Sequence, residues 1–442
     1  MSLSNNSGQV SDDSFIDWSG QIFNNRYIAL KKLGFGACSS VWLFFDNNNK
    51  NCVAIKIFNV DDYYGGKHEL DLLKKIHNLK SEYTVKFIES FEKETDNGIH
   101  LCIVLELMKN SLYSYRKENN ITINEIKIIT KQVLEFLSSL NTMGYVHTDI
   151  KPENILIDDT LDIAKTICEF VKSQKFIDKQ NARKLELLKN KKLDKKKVGI
   201  LAIKDILIKE FFNNPKSGNS DSESDDTDDS NSDDNKNSNY IFTHDFLSDD
   251  SENTDSDNSS LDTNENLSDK FDIINNPDKI KKIKVTDFNT CISINNPDFE
   301  IQTRYYRAPE VLLENNFSDK IDIWSLGCTI YELLTKEILI NPDDVEDFSV
   351  DRYHIYLIHK KIGVFDLDFW NQSKKKYIYL DSNNLLKGFN EILIEPFWVK
   401  LINKYGKSQE LYNLIDFMFD CLEINPNNRK SAKDLLLHPF LN

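Results

Sequence analysis

Residues His147 to Leu156 read H-T-D-I-K-P-E-N-I-L, with Asp149 and Asn154 in a D-x-x-x-x-N spacing and Lys151 between them. A carboxylate can accept a proton from an attacking hydroxyl. An amide oxygen can help hold a metal ion. A cation can sit beside a phosphoryl group in transfer. Phosphoryl transfer asks a protein for positioning and charge neutralisation, with little covalent chemistry, and this loop carries all three groups.

Other segments could complete such a site. Leu33-Gly34-Phe35-Gly36-Ala37-Cys38-Ser39-Ser40-Val41 places two glycines where a strand-turn-strand could lie close over phosphates. Alone, this G-x-G also fits a plain hairpin. Val53-Ala54-Ile55-Lys56 reads as a strand ending in a lysine, and Glu69 on the following helix is its candidate partner. Alone, such a Lys and Glu also fit a solvated surface pair. Asp287-Phe288-Asn289 follows the strand-like I-K-V-T and offers a metal-binding carboxylate. Glu310 in Ala308-Pro309-Glu310 is expected to pair with Arg429. Asp322 in D-I-W-S-L-G is placed to cap the loop backbone from a buried helix. The order of these motifs along one chain favours the chemical reading over the separate bland ones.

The elements that must position them follow from the periodicity. Y-I-A-L-K-K-L-G, S-S-V-W-L-F-F and C-V-A-I-K-I-F are β-branched and aromatic, as strands are. K-H-E-L-D-L-L-K-K-I has helical spacing, L-C-I-V-L-E-L reads as a buried strand, and Ile121 to Met143 as a long amphipathic helix. From Glu310 onward the pattern is helical. The expected organisation is a polar tail at 1–25, in which Phe15, Ile16 and Trp18 could dock, then a β-rich lobe at 26–108. A first part of an α-rich lobe covers 109–160, an insertion 161–282, and the rest of that lobe 283–442. The insertion has a basic, periodic part from Leu161 to Glu210, then a tract of Ser, Asp, Asn and Thr. That tract is too polar to offset its ordering entropy and is expected to be disordered.

Composition narrows the class. Of 442 residues, 40% are hydrophobic, enough for a core, and the formal charge is −16. Between Ser217 and Glu265, sixteen acidic residues face one base, Lys236, so the remainder is near neutral. Direct nucleic-acid binding is not expected of this balance. Seven scattered cysteines without a C-x-x-C pair favour a reducing compartment over a disulfide framework or zinc site. No secretory signal is visible and no apolar run approaches the roughly 20 residues that span a bilayer. An intracellular protein without membrane attachment is the expectation.

Together these motifs resemble the eukaryotic protein kinases. The resemblance implies an α+β, bilobal kinase fold with a β-rich N-lobe, an α-rich C-lobe and a long insertion in the latter, using ATP and magnesium. It implies Asp149 and Lys151 as catalytic residues, and Asn154 and Asp287 as metal ligands. Leu33, Gly34, Gly36, Val41, Ala54, Lys56, Glu69, Glu106, Met108 and Leu156 would bind nucleotide. Lys151 and Thr303 look like a serine/threonine kinase. Q-T-R-Y-Y-R before A-P-E looks like the CMGC group, and H-T-D with the long spacer is similar to the SR-protein kinases; LAMMER-type kinases share H-T-D. Arg/Ser-rich protein substrates, a monomeric state and a cytoplasmic location with access to the nucleus follow from that likeness. Two departures stand out. Thr148 replaces the arginine that would read an activation-segment phosphate, as in SR-protein kinases, and implies activity without that phosphate. Asn289 and Ser39 replace expected glycines and keep a pseudokinase scaffold as the alternative.

Overall fold

The structure is a computed structural model that describes residues 16–78, 81–190, 193–212, 279–294, 301–342, 349–389 and 392–442. The first part of the expected tail and the whole acidic tract lie outside these residues. The chain divides into two compact units.

The first unit takes 1–70, 86–109 and 160–246. Its centre is a six-stranded antiparallel sheet in the order β1-β2-β3-β4-β6-β5. The strands are β1 (Ile22–Phe23), β2 (Tyr27–Phe35), β3 (Ser39–Asp46), β4 (Asn51–Phe58), β5 (Phe87–Thr95) and β6 (Gly98–Leu105). Helix α1 (Tyr63–Asn78) starts in this unit after β4. Side chains alternate across a strand, so Trp42, Phe44, Val53, Ile55, Ile57, Cys102 and Val104 fill one core face. Trp18 and Phe23 join that core, with their rings edge-on at 5.3 Å. The end of the expected tail therefore docks on the sheet through Trp18, with Ile16 packed against the same core. Ile28, Leu43 and Phe45, in the alternate register, are buried as well.

The basic part of the insertion, described over 161–190 and 193–212, belongs to this unit. It forms α4 (Asp162–Lys172), α5 (Gln174–Leu188) and α6 (Val198–Phe211). Ala164, Ile167 and Val171 recur at helical spacing and are the buried stripe of α4. Helix α4 packs on β4, α6 on β2, and α5 on α6. Arg183 bridges α5 to Asp205 of α6 at 2.7 Å, and Lys179 pairs with Glu210.

The second unit takes 71–85, 110–159 and 247–442. Helix α2 (Leu112–Glu118) precedes α3 (Ile123–Thr142), which begins at a reciprocal cap. Thr122 Oγ1 accepts the Glu125 N–H at 3.0 Å, and Glu125 Oε2 accepts the Thr122 N–H at 3.0 Å. Two short ladders follow: β7 (Tyr145–Val146) with β10 (Ile292–Ser293), and β8 (Ile155–Ile157) with β9 (Ile283–Val285). The β8–β9 ladder joins chain from either side of the insertion. Helix α7 (Ile321–Thr335) is buried at all fifteen positions, as expected of a helix apolar on every side. Gly327 lets it approach its neighbour: a Cβ there would stand 2.8 Å from Leu422 Cδ2. Helices α8 (Val350–Lys361), α9 (Phe397–Tyr405) and α10 (Gln409–Cys421) complete the unit with short turns.

Glu310 and Arg429 meet in this interior, both side chains fully buried, at 2.6 and 2.9 Å through two guanidinium nitrogens. Arg429 also donates to the carbonyls of Glu423, Lys320 and Ile424. A buried carboxylate that loses its cation is left uncompensated, which costs far more than the intact pair contributes. Arg429→Leu should therefore lower unfolding free energy by about 3–5 kcal/mol. Urea denaturation followed by tryptophan fluorescence checks this; an unchanged midpoint would mean that the pair is dispensable.

Candidate active site

In the first unit, β2 and β3 form the hairpin that carries the glycines. Gly34 pairs with Val41 and Phe35 with Ser40, and the Gly36 N–H donates to the Ser39 carbonyl at 2.8 Å. A Cβ on Gly36 would meet nothing within 4 Å. The described hairpin itself does not require glycine there. Lys56 on β4 donates to Glu69 Oε2 of α1 at 2.7 Å, with both residues buried. Antiparallel pairing sets Ala54 opposite Leu105 and Lys56 opposite Ile103. Leu33, Ala54, Leu105 and Met108 are buried apolar residues of the same unit, and Val41 is partly buried. The Glu106 N–H donates to the Lys86 carbonyl at 3.0 Å, and Glu106 Oε1 accepts the Lys86 N–H at 2.6 Å. This fixes the chain just after β6.

In the second unit, Asp149 is held on every side. Asn154 Nδ2 donates to its Oδ2 at 2.7 Å and to its carbonyl at 2.9 Å. Lys151 Nζ stands 2.9 Å from Oδ2, and the Thr303 hydroxyl donates to Oδ1 at 2.7 Å. Lys151 also donates to Thr303 Oγ1 at 2.9 Å. Carboxylate, cation, amide and hydroxyl thus form one connected network. Charge-assisted hydrogen bonds of this kind fix rotamers as well as add energy.

The backbone beneath is fixed by Asp322 of α7, a wholly buried carboxylate. It accepts the N–H groups of His147 at 2.7 Å and Thr148 at 2.8 Å. Burial pushes its carboxyl up to about 7, against the two N–H groups that hold it down. Thr148 has φ +68°, and its hydroxyl donates to the Thr290 carbonyl at 2.7 Å. His147 is fully buried, and burial lowers its pKa. It is the neutral ring, accepting the Asp149 N–H at Nδ1 and donating from Nε2 to the Thr286 carbonyl.

Asp287 is brought alongside through the backbone: the Thr286 N–H donates to the Asn154 carbonyl at 3.0 Å. Leu156 lies in β8, two residues past Asn154. Asp287 has φ +67°, whereas Asn289 is not among the residues of positive φ. The position where glycine was expected therefore makes no left-handed demand on asparagine. Among the described residues, no three His, Cys, Asp or Glu side chains form a metal site by themselves. Asp287 and Asn154 supply two oxygen donors, which suits a hard divalent ion completed by phosphate oxygens and water.

Sequence reasoning missed one buried network here. Arg116 and the Tyr306 hydroxyl both bind Glu332, and nearby Glu153 is partly buried, with its Oε2 sealed from solvent and unpartnered among the described residues. Burial pushes the Glu153 carboxyl up to about 7. A tyrosine within Y-Y-R and two glutamates in apolar surroundings were the available signal.

Residues 27–192 and 273–441 match the protein kinase domain family. The SRPK serine/threonine-protein kinase of Physarum polycephalum is 28% identical, over 96% of this chain and 87% of its own. SRSF protein kinase 3 of Homo sapiens is 27% identical, over 96% and 87%. A crystal structure of a kinase domain superposes with a TM-score of 0.62 at 21% identity, covering 97% of this chain and 99% of that one, and so shares the fold. No helix among the described residues is long and apolar enough to cross a membrane. The chain belongs to the protein kinase family, as a protein serine/threonine kinase similar to the SR-protein kinases.

Proposed function

We propose that this kinase transfers the γ-phosphoryl group of ATP, with magnesium, to serine or threonine of protein substrates, Arg/Ser-rich proteins among them. The observation that carries catalysis is the closed network of Asp149, Lys151, Asn154 and Thr303. The substrate class rests on similarity to kinases whose human member is named for SRSF proteins. In this reading Asp149 accepts the proton of the attacking hydroxyl, and Lys151 neutralises charge on the group in transfer. Lys56, oriented by Glu69, holds phosphate oxygens, and Gly34 and Gly36 let backbone approach them. Leu33, Val41, Ala54 and Leu156 pack on adenine, with the chain at Glu106 and Met108 binding its edge. Asp287 and Asn154 hold the metal, which neutralises phosphate charge. The protein acts as a monomer in the cytoplasm with access to the nucleus.

Asp149→Asn should keep nucleotide binding and lose ~10²–10⁴ in single-turnover rate, since a positioned base is removed. The assay compares an Arg-Ser repeat peptide with a generic basic protein under radiolabelled ATP. Near wild-type turnover in the variant would refute the base; equal use of both substrates would refute the Arg/Ser preference.

The metal assignment has its own test. Asp287→Ala should raise the magnesium concentration needed for half-maximal activity while the protein melts as before. An unchanged magnesium titration would move Asp287 out of the metal site.

Activity should not need phosphorylation of the 287–310 segment. The Thr148 hydroxyl already ties the loop to the Thr290 carbonyl, and no arginine stands there to read a phosphate. Bacterially made, phosphatase-treated protein should stay fully active. A large loss restored by rephosphorylation at Thr290, Ser293 or Thr303 would overturn this.

A further inference from the structure

The turn that joins β3 to β4 and the start of helix α6 border one cavity of about 500 Å³, wholly within the first unit. Four lysines line it: Lys50 from the turn, Lys184 from α5, and Lys196 and Lys197 just before α6. Among the described residues, Asp194 is the only acid in that lining. Its Oδ1 already accepts the Lys196 N–H at 2.9 Å.

This positive charge is not balanced inside the unit. Lys50 donates to the neutral Asn47 Oδ1 at 2.7 Å, while the neighbouring Asp46 carboxylate is committed to Arg26. Lys184 crosses the first turn of α6, with its Cε 3.9 Å from where a Cβ on Gly199 would stand. Among the described residues, none of the four lysines forms an ion pair. Helix α6 also starts without a side-chain cap, so its first N–H groups add partial positive charge to the same place. Burial and the Lys184 charge both lower the Lys50 pKa, as gathered like charges do. A cavity of this kind suits a segment dense in carboxylates.

Such a segment is present in the same chain. The acidic tract carries eight acids and no base between Asp221 and Asp234. Helix α6 has 14 residues, which makes it about 21 Å long. Ten positions separate Phe211, its last residue, from Asp221, and an extended chain covers up to about 33 Å over them. The tract is therefore long enough to run back beside α6 to the cavity at its start. We propose that the acidic tract docks through the carboxylates of 221–234 on the cavity of Lys50, Lys184, Lys196 and Lys197. The contact is a set of exposed ion pairs. Each is weak, together they gain from being tethered, and salt screens them.

The test uses the full chain and a carbodiimide, which joins carboxylates to amines that they touch, followed by digestion and mass spectrometry. The expected links run within one chain from 221–234 to the four cavity lysines, and they fade at about 0.5 M salt. Lys184→Gln should weaken the links at Lys50 and Lys197 roughly threefold, although those amines are unchanged. A protease that cuts after glutamate gives an independent reading at Glu223. The variant K50Q/K184Q/K196Q/K197Q should be cut there faster than the unmodified chain, on the order of tenfold, and both should be cut alike in high salt. All variants should keep basal phosphotransfer and melting temperature. Links spread equally over the exposed Lys407 and Lys430 of the second unit would overturn the proposal. Links found only between two chains, or equal cutting of Glu223 at low salt, would overturn it as well.

Discussion

The second unit depends on one buried carboxylate. Asp322 sits on a helix with no exposed residue, and its two oxygens take the N–H groups of His147 and Thr148. A buried ionised group is costly unless hydrogen-bonded, and those N–H groups are equally costly if left unpaired. Each side of the contact therefore needs the other, which makes the position of the loop a property of the core. Thr148 accepts a left-handed backbone under this constraint, and Asp149 follows directly from it. The polar network around Asp149 then fixes the side chain on a backbone already held.

The charged groups of the first unit are organised by a different rule. Lys56 and Glu69 are each buried, and each would be a liability alone. Their pairing depends on β4 delivering the lysine and α1 the glutamate. The sheet achieves this through unbroken antiparallel register from β3 to β4 and from β4 to β6. The ammonium is thus pre-oriented in the fold itself, which removes an ordering cost from phosphate binding.

Much of this was legible in the sequence because the motifs are local. H-T-D-I-K-P-E-N fits one turn, and its spacing survives any packing around it. V-A-I-K is a strand whose lysine must alternate onto a face. The Glu310–Arg429 pair could be expected from motif order, although 119 positions separate the two residues. What stayed hidden needs three dimensions. The sequence sets the insertion between two parts of the α-rich lobe but does not say where its helices pack; the apolar stripe Ala164, Ile167 and Val171 belongs to the β-rich unit. Nothing in the sequence spacing says that β4 and α4 touch. The fate of Glu332 depended on which polar groups happened to be buried with it.

Helix α3 has a further consequence through two of its side chains. Glu125 Oε1 accepts the N–H groups of Lys279 and Ile280, and Gln132 both accepts from Ile283 and donates to the Lys281 carbonyl. They stand two helical turns apart, and between them they bind the backbone of 279–283. The strand that returns after the insertion is set in register by the helix and by β8. Two polypeptides divided within the insertion would still carry, at this joint, the two sides of the same contact.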